Sequence, residues 1–198
     1  MKKISKILAA NRSEIAIRIF RAAEESGIKT AAIYSKEDRF AIHRFKTDES
    51  YLVGEGKGPI QAYLDIDSII KIAKDAKVDA IHPGYGFLSE SPELAEQCEK
   101  NDITFIGPSK EILKRFGNKT EAKKVAEEAK VGTVPSVLVT KENLKSVEKE
   151  VEKIGYPVIV KASWGGGGRG MRVVRSSNEL IDQITTAQSE SLKAFGKD

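Results

Sequence analysis

The chain has 198 residues, 40% of them hydrophobic, and a formal net charge of +4, which is typical of a globular protein with a packed core. Its charges are interspersed, which argues against a nucleic-acid-binding surface, and its single cysteine excludes an intramolecular disulfide and fits a reducing compartment. Residues 7–10 form an apolar run too short for a signal peptide or a membrane span. We therefore expect a cytoplasmic protein without a nucleic-acid or membrane partner.

In the first half of the chain, strand-like runs alternate with amphipathic helices. Strands are predicted at residues 7–10, 30–34, 50–53, 79–81 and 103–106. Helices are predicted at residues 13–26, at 41–46 as a short piece, and after the capping residues Asp65 and Ser91. This alternation predicts an α/β fold, with a mainly parallel sheet covered by helices on both faces and ligands at the carboxyl ends of the strands.

The second half of the chain predicts a smaller α+β unit. Helices are expected at residues 111–115, from the cap Asn118 onward, at 143–154 and from Asn178 onward, and strands at 136–139, 157–160 and 173–174. The last helix should direct the apolar residues Leu180, Ile181, Ile184, Ala187, Leu192 and Phe195 inward. We place the domain boundary at residue 117, giving domains 1–117 and 118–198.

A glycine run joins the last two predicted strands, with Lys161 before it and Arg169 and Arg172 after it. Glycine lets successive backbone N–H groups face one small anion, and the cations suit phosphate oxygens. The run predicts a lid over a polyphosphate. A flexible linker, an RNA-binding Gly-Arg segment and a plain hairpin turn are the alternatives, and the strand-like flanks argue against the first two.

Two other strand ends carry polar or aromatic residues. After the first strand, residues 11–14 lack the Gly-x-Gly-x-x-Gly of a dinucleotide site, and Ser13 is expected to be a plain helix cap. After the fourth strand, residues 82–90 set Tyr85 between two glycines, which lets the backbone approach a partner, and Tyr85 and Phe87 offer flat surfaces. His82 in this stretch is favoured as structural over catalytic, and Glu90 is either a residue of the helix cap or the partner of an active-site cation.

Several stretches together resemble the biotin carboxylase region of the biotin-dependent carboxylases, in the ATP-grasp superfamily. They read ANRSEIAIRIFRAA, HRFKTDESY, IHPGYGFLSESPE, FIGPS, GNKTEAK and GYPVIVKASWGGGGRGMRVV, and they span essentially the whole chain. Within the family, HRFKTDESY and KASWGGGGRGMR are closer to the bacterial pyruvate carboxylases than to the subunit of acetyl-CoA carboxylase. The resemblance implies a Rossmann-like pre-ATP-grasp domain followed by a small ATP-grasp lid domain.

The resemblance also implies a function. ATP and bicarbonate, with magnesium, form carboxyphosphate, which carboxylates biotin on a carrier domain outside this chain, and a further domain passes the carboxyl group to pyruvate. The ATP-binding residues would be Lys119, Lys161, Gly165, Gly166, Gly167, Gly168 and Met171. The wall of the biotin and bicarbonate pocket would be His82, Tyr85, Gly86 and Glu90.

The family's catalytic lysine and magnesium-binding glutamates follow the part that matches this chain, so no catalytic or metal-binding residue is assigned. We therefore expect an N-terminal fragment that binds nucleotide weakly and does not turn over ATP, within a full-length protein that forms a homo-oligomer. The alternatives are a biotin carboxylase subunit of acetyl-CoA or propionyl-CoA carboxylase, another ATP-grasp ligase of the carbamoyl-phosphate or purine type, and a non-catalytic nucleotide-binding module.

Overall fold

A computed structural model describes residues 3–140, 142–144, 146–161 and 171–195. The chain divides into two compact units, Met1–Lys114 and Arg115–Asp198. The first unit contains a five-stranded sheet and the second a two-stranded sheet. This confirms the predicted α/β fold with a small antiparallel sheet in the second half.

The first unit alternates strands and helices along the chain. Its strands are β1 (Lys6–Ala9), β2 (Lys29–Tyr34), β3 (Glu49–Leu52), β4 (Ala80–His82) and β5 (Thr104–Phe105). Its helices are α1 (Ser13–Glu25), α2 (Pro59–Tyr63), α3 (Ile66–Asp75) and α4 (Pro92–Lys100), with a 3₁₀ helix at Ile42–Phe45 and α5 (Lys110–Gly117) running into the second unit.

All five strands of this sheet are parallel, in the order β3-β2-β1-β4-β5. The central register sets Leu8 of β1 beside Ala31 of β2 and Ile81 of β4. From β1 to β3, each new strand is added on one side of β1, whereas β4 and β5 are added on its other side. The strand order therefore reverses between β1 and β4, which is where open α/β sheets leave a crevice for ligands.

Alternate residues of β1 enter two separate cores. Ile7 and Ala9 pack with α1, whose Phe20 is buried, whereas Leu8 packs on the other face with α3 and with Leu94 of α4. Helices therefore cover both faces, as the sequence predicts. Cys98 of α4 is fully buried in the second of these cores, and burial raises the pKa of its thiol to about 12.

Helix starts in the first unit follow the predicted capping chemistry except at α1. The side chains of Asp65 and Ser91 accept hydrogen bonds from the backbone N–H groups of Ser68 and Leu94. Ser13 is the first residue of α1 with a φ of 55°, and the N-cap position falls on Arg12, which makes no capping hydrogen bond. The expectation that Ser13 caps the helix is therefore wrong.

The second unit packs two helices against a short antiparallel sheet. It contains α6 (Lys119–Glu128), α7 (Val147–Ile154), β6 (Val158–Val160), β7 (Arg172–Val174) and α8 (Ser177–Phe195). Its core holds Val151 of α7, Val174 of β7, and Leu180 and Ile184 of α8. Asn118 caps α6 through hydrogen bonds from two backbone N–H groups, as predicted.

Two element predictions in this unit are wrong, one for a whole strand and one for the start of a helix. Residues 136–139 form no strand, because the side chain of Asn143 donates to the carbonyl of Leu138 and accepts from the N–H of Thr140. The resulting turn also delays α7 to Val147.

The inward face of α8 ends sooner than predicted. Leu180, Ile184 and Ala187 are buried, but Leu192 is 53% exposed. A 19-residue helix is about 28 Å long, whereas three-residue strands span about 10 Å, so the sheet leaves the end of the helix uncovered.

Candidate functional site

The loop between β4 and α4, residues 83–91, begins at the carboxyl end of a central strand, beside the point where strand order reverses. Gly84, Gly86 and Phe87 all have positive φ values, of 68°, 68° and 40°. Glycine adopts this conformation readily, but a phenylalanine there must be held by its surroundings. We call residues 83–91 the β4–α4 loop.

His82 contributes to the shape of this loop. Its Nδ1 accepts a hydrogen bond of 3.0 Å from the backbone N–H of Gly84, and burial lowers the pKa of its imidazole. A neutral imidazole accepting a local hydrogen bond agrees with the structural interpretation favoured from the sequence.

Tyr85 and Glu90 are both exposed on the loop. The hydroxyl of Tyr85 donates to Oε2 of Glu14 at 3.1 Å, which raises the pKa of the phenol, and Arg18 lies 3.9 Å from the other carboxylate oxygen of Glu14. Among the residues that the structure describes, Glu90 forms no ion pair. The structure therefore brings Tyr85, Gly86 and His82 together with α1, and Glu90 stands apart.

Asn11, which sequence reasoning missed as a functional residue, lies against the loop from the end of β1. It is 3% exposed, and its side-chain amide donates to the carbonyls of Pro83 at 2.7 Å and Tyr85 at 2.9 Å. Its position after a strand that faces the sheet crevice is the one feature of the sequence that could have indicated this role.

A second cluster that sequence reasoning missed surrounds Arg12. Its guanidinium donates to Oδ2 of Asp38 at 3.0 Å and lies 5.6 Å from the ring of Tyr63 and 5.7 Å from the ring of Phe87. Those two rings stack with centroids 5.1 Å apart. The Tyr63 hydroxyl donates to the same oxygen of Asp38 at 2.7 Å and accepts from the N–H of Ser35.

The charge balance of this cluster keeps Asp38 ionised. Burial by itself would raise the pKa of Asp38, but hydrogen bonds from Tyr63 and Arg12 and the positive charge of Arg12 outweigh it and lower the pKa. Burial and the bond to Asp38 raise the pKa of Tyr63, so its hydroxyl stays a donor. His43, fully buried nearby, has a lowered pKa because of burial, and its Nε2 contacts the carbonyl of Ile33.

In the second unit, Lys161 and Met171 stand at the same end of the two-stranded sheet. Val160 pairs with Arg172, so the same register places Lys161 opposite Met171 at the next position. Both residues are exposed, Met171 at 47%. Gly165, Gly166, Gly167 and Gly168, predicted as the phosphate lid, lie outside the described residues.

Lys119 and Arg172 occupy different settings in this unit. Lys119 is exposed as the first residue of α6, directly after the cap Asn118. Arg172, which the sequence offered as a phosphate donor, turns to α8 instead, where its guanidinium pairs with Glu190 and donates to Gln183 at 3.5 Å. The ion pair makes Arg172 a structural contact between β7 and α8.

Two features are absent from the part of the chain that the structure describes. No group of three or more His, Cys, Asp or Glu side chains there could hold a metal ion. No helix within the described ranges is long and apolar enough to cross a bilayer.

Both units of the chain match models of known protein families. Residues 3–113 match the model of the biotin carboxylase N-terminal domain, and residues 118–198 match that of the ATP-binding domain of the carbamoyl-phosphate synthase L chain. Since the first match covers more than half of the chain, the protein belongs to the biotin carboxylase family.

Individual relatives indicate which members of this family the chain resembles. The chain is 56% identical over 197 residues to the pyruvate carboxylase of Bacillus subtilis, which covers 100% of the chain and 17% of that protein. It is 41% identical, with a TM-score of 0.90, to the biotin carboxylase domain of Hydrogenobacter thermophilus 2-oxoglutarate carboxylase in complex with MgADP, ADP and bicarbonate, covering 100% of this chain and 43% of that one. The chain thus spans only part of the proteins it matches.

A third relative is a nucleotide complex. The chain is 41% identical to the Campylobacter jejuni biotin carboxylase in its β-γ-ATP complex, with a TM-score of 0.90, covering 98% of this chain and 44% of that one. These homologues are ATP-dependent ligases, and the chain corresponds to the N-terminal biotin carboxylase portion of a pyruvate carboxylase.

Proposed function

We propose that the whole protein uses MgATP and bicarbonate to carboxylate biotin, and then transfers the carboxyl group to pyruvate to give oxaloacetate. The observation that carries this proposal is the 56% identity to a pyruvate carboxylase over the full length of the chain. The geometry of both units agrees with the roles that the family assigns to them.

In this proposal the domain formed by residues 118–198, which makes up most of the second unit, holds the nucleotide. Lys161 and Met171 extend from one end of the β6–β7 sheet, so a cation and an apolar side chain are available to one ligand. Lys161 would neutralise phosphate charge and Met171 would contact the adenine. Lys119, with the backbone of Gly165, Gly166, Gly167 and Gly168, would complete the phosphate site. Phosphoryl transfer depends mainly on such positioning and charge neutralisation.

In the first unit, the β4–α4 loop would form a wall of the biotin and bicarbonate pocket. Tyr85 and Gly86 are exposed on a backbone that Asn11 fixes by donating to the carbonyl of Tyr85 and His82 fixes by accepting from the N–H of Gly84. A preformed wall lowers the entropy lost when a substrate binds. His82 shapes the wall in this proposal, and Glu90 lies at its edge.

Magnesium would be held by residues outside this chain. Among the described residues, no group of three or more His, Cys, Asp or Glu side chains could hold a metal ion. The family resemblance assigns the magnesium-binding glutamates and the catalytic lysine to the sequence that follows. We therefore propose that these 198 residues, expressed alone, bind nucleotide without hydrolysing it. A bicarbonate-dependent ATPase assay with free biotin tests this, and robust turnover would contradict it.

Pyruvate is the favoured acceptor over an acyl-CoA or 2-oxoglutarate. Identity is 56% to a pyruvate carboxylase, against 41% to a 2-oxoglutarate carboxylase. The whole protein would also require a biotin carrier domain and, as a cytoplasmic enzyme of this family, would assemble into a homo-oligomer. Oxaloacetate formation by the full-length protein, measured with pyruvate and with each alternative acceptor, tests this assignment.

The nucleotide role is tested by removing single charges from the full-length protein. Replacing Lys161 with methionine should weaken ADP binding by about tenfold or more, because a hydrogen bond to a charged group is lost. Lys149→Met, which removes a charge from an exposed position on α7, is the matched control and should leave affinity unchanged. Equal affinity in the two variants would contradict the proposed role of Lys161.

A further inference from the structure

Asn11 has every polar atom of its buried side chain engaged. The amide nitrogen donates to the carbonyls of Pro83 and Tyr85, and the amide oxygen accepts from the N–H of Arg12 at 2.9 Å. The two donated bonds cross from β1 to a loop more than 70 residues later in the chain. Asn11 therefore connects the two strands that border the crevice of the sheet.

The bonds from Asn11 fix the part of the loop whose backbone is least common. Gly84 and Gly86, with φ values of 68°, alternate with Pro83 and Tyr85, whose carbonyls accept hydrogen bonds from the amide of Asn11. A buried carbonyl without a donor is costly, so removing the amide would favour a different path for residues 83–86. The position of the Tyr85–Gly86 backbone thus depends on Asn11.

The fit between Asn11 and the loop leaves no free space. A Cβ atom added to Gly84 would lie 2.7 Å from the amide nitrogen of Asn11 and 3.1 Å from Cγ1 of Ile15. Contacts below 3.0 Å force atoms to move. Gly84 is therefore required for two reasons, its left-handed φ and the close approach of Asn11.

The next residue, Arg12, holds the far side of the same loop. Its guanidinium lies over the ring of Phe87, and the ion pair with Asp38 fixes that guanidinium in turn. Phe87 has a φ of 40°, so it also needs external contacts to keep its conformation. Consecutive residues at the end of β1 hold both halves of the β4–α4 loop.

We propose that Asn11 is a positioning residue for the carboxylation of biotin, since it sets the Tyr85–Gly86 backbone against which biotin and bicarbonate bind. This inference rests on the proposed function, because it assumes that the loop faces those substrates. Asn11 acts through the loop and not on the reacting atoms. Its loss should therefore change the use of biotin and leave the use of ATP, which the second unit binds, unchanged.

The test is steady-state kinetics of the full-length protein with free biotin. Asn11→Asp keeps the shape of the side chain but replaces the donor with an oxygen facing two carbonyls. We expect the KM for biotin to rise about tenfold or more and the KM for ATP to stay within about twofold. Asn101→Asp is the matched control, because Asn101 also donates to a carbonyl, that of Gln97, but at the end of α4. It should change neither constant.

A second variant tests the close contact between Asn11 and Gly84 by changing the residue on the loop. Gly84→Ala and Gly27→Ala impose equal backbone strain, since their φ values are 68° and 69°. A Cβ at Gly27 meets nothing within 4 Å, so only the first variant pushes against Asn11. Gly84→Ala should raise the KM for biotin selectively, and Gly27→Ala should not.

The outcomes separate this inference from the proposed function. If Asn11→Asp and Gly84→Ala leave the KM for biotin unchanged, or raise the KM for ATP equally, the positioning role is wrong. If Asn11→Asp does not fold, the comparison of the two glycine variants decides. If the wild-type protein shows no biotin-dependent release of ADP, the proposed function itself is wrong. Hydrogen exchange at residues 84–88 then tests the role of Asn11 in the loop. If these amides exchange no faster in Asn11→Asp than in Asn101→Asp, Asn11 does not hold the loop in place.

Discussion

The two units hold their candidate site residues in opposite ways. In the first, the β4–α4 loop is fixed by buried side chains, Asn11 with its two donated bonds and Tyr63 with its stacked ring. In the second, Lys161 and Met171 are exposed at the end of a two-stranded sheet. The proposed wall for a small substrate is thus supported by a packed core, whereas the lysine proposed to bind phosphate is exposed to solvent.

The same contrast extends to the cores behind these sites. The five-stranded sheet is covered on both faces, and its central residues Leu8, Ala31 and Ile81 have no exposed surface. In the second unit, α6 contributes no buried residue, and the core depends on α7, α8 and two strands. Mutations should therefore affect the two units separately and to different degrees.

The largest expected effect comes from truncating a buried leucine of the first unit. Leu94 is fully buried, so Leu94→Ala should lower the free energy of unfolding by about 3 kcal/mol through lost apolar contacts and the cavity left behind. Hydrogen-exchange mass spectrometry in urea should show this loss in residues 3–114 only. Leu192→Ala, at a leucine that is 53% exposed, should change stability by less than about 0.5 kcal/mol. Equal destabilisation of both units would contradict this expectation.

A pH titration should also separate the units, because both histidines lie in the first. Burial lowers the pKa of His43 and of His82 below the ordinary 6.5, so the unfolded state binds more protons as the pH falls. The stability of the first unit should therefore be full above about pH 6.5 and decline below it. Exchange measured between pH 7.5 and 5.5 should show no such decline in the second unit.

Replacing His82 tests how much this residue contributes to the decline in stability. His82→Asn keeps an acceptor for the N–H of Gly84 and removes one titrating group, so the decline should become shallower. A second decline is expected in the first unit below about pH 4.5, since hydrogen bonds from Thr30 lower the pKa of Asp48 and those from Lys6 and Tyr51 lower that of Glu49. An unchanged slope in His82→Asn would assign the first decline to His43 alone.

Much of this architecture could be predicted from the sequence, because its elements are defined by local patterns. Apolar strands alternating with capped helices predict the parallel sheet, and Asp65, Ser91 and Asn118 cap helices where expected. The strand predicted at residues 136–139 is wrong, and Asn143, a residue outside that run, binds the carbonyl of Leu138 within it and the N–H of Thr140 directly after it. Local pattern fails where a side chain competes for the backbone.

The contacts that shape the candidate site could not be predicted in this way. Asn11 bonds to residues 83 and 85, and Tyr63 lies on α2, a five-residue helix too short to show periodicity. Such contacts depend on strand order, which sets β1 beside β4. The resemblance to a family indicated the loop itself, but the residues that hold it in place emerged only from the packed structure.

A smaller effect is expected at Ser13, which has a φ of 55° at the start of α1. Glycine adopts this conformation without strain, so Ser13→Gly should stabilise the first unit by up to about 1 kcal/mol. Ser189→Gly, inside α8, is the control and should destabilise the second unit by about 0.5 kcal/mol. Chemical denaturation of both variants measures these opposite signs. A loss of stability in Ser13→Gly would show that the serine side chain compensates for its backbone strain.

The smallest expected effect concerns Arg172, where a structural and a phosphate-binding role lead to different results. Glu190 holds its guanidinium at a partly exposed position, so Glu190→Gln should lower the stability of the second unit by no more than about 1 kcal/mol. Affinity for ADP should match that of Glu150→Gln, which removes an exposed carboxylate from α7. If Arg172 were instead a phosphate ligand restrained by Glu190, the loss of that carboxylate would free it, and ADP would bind several-fold more tightly in Glu190→Gln alone.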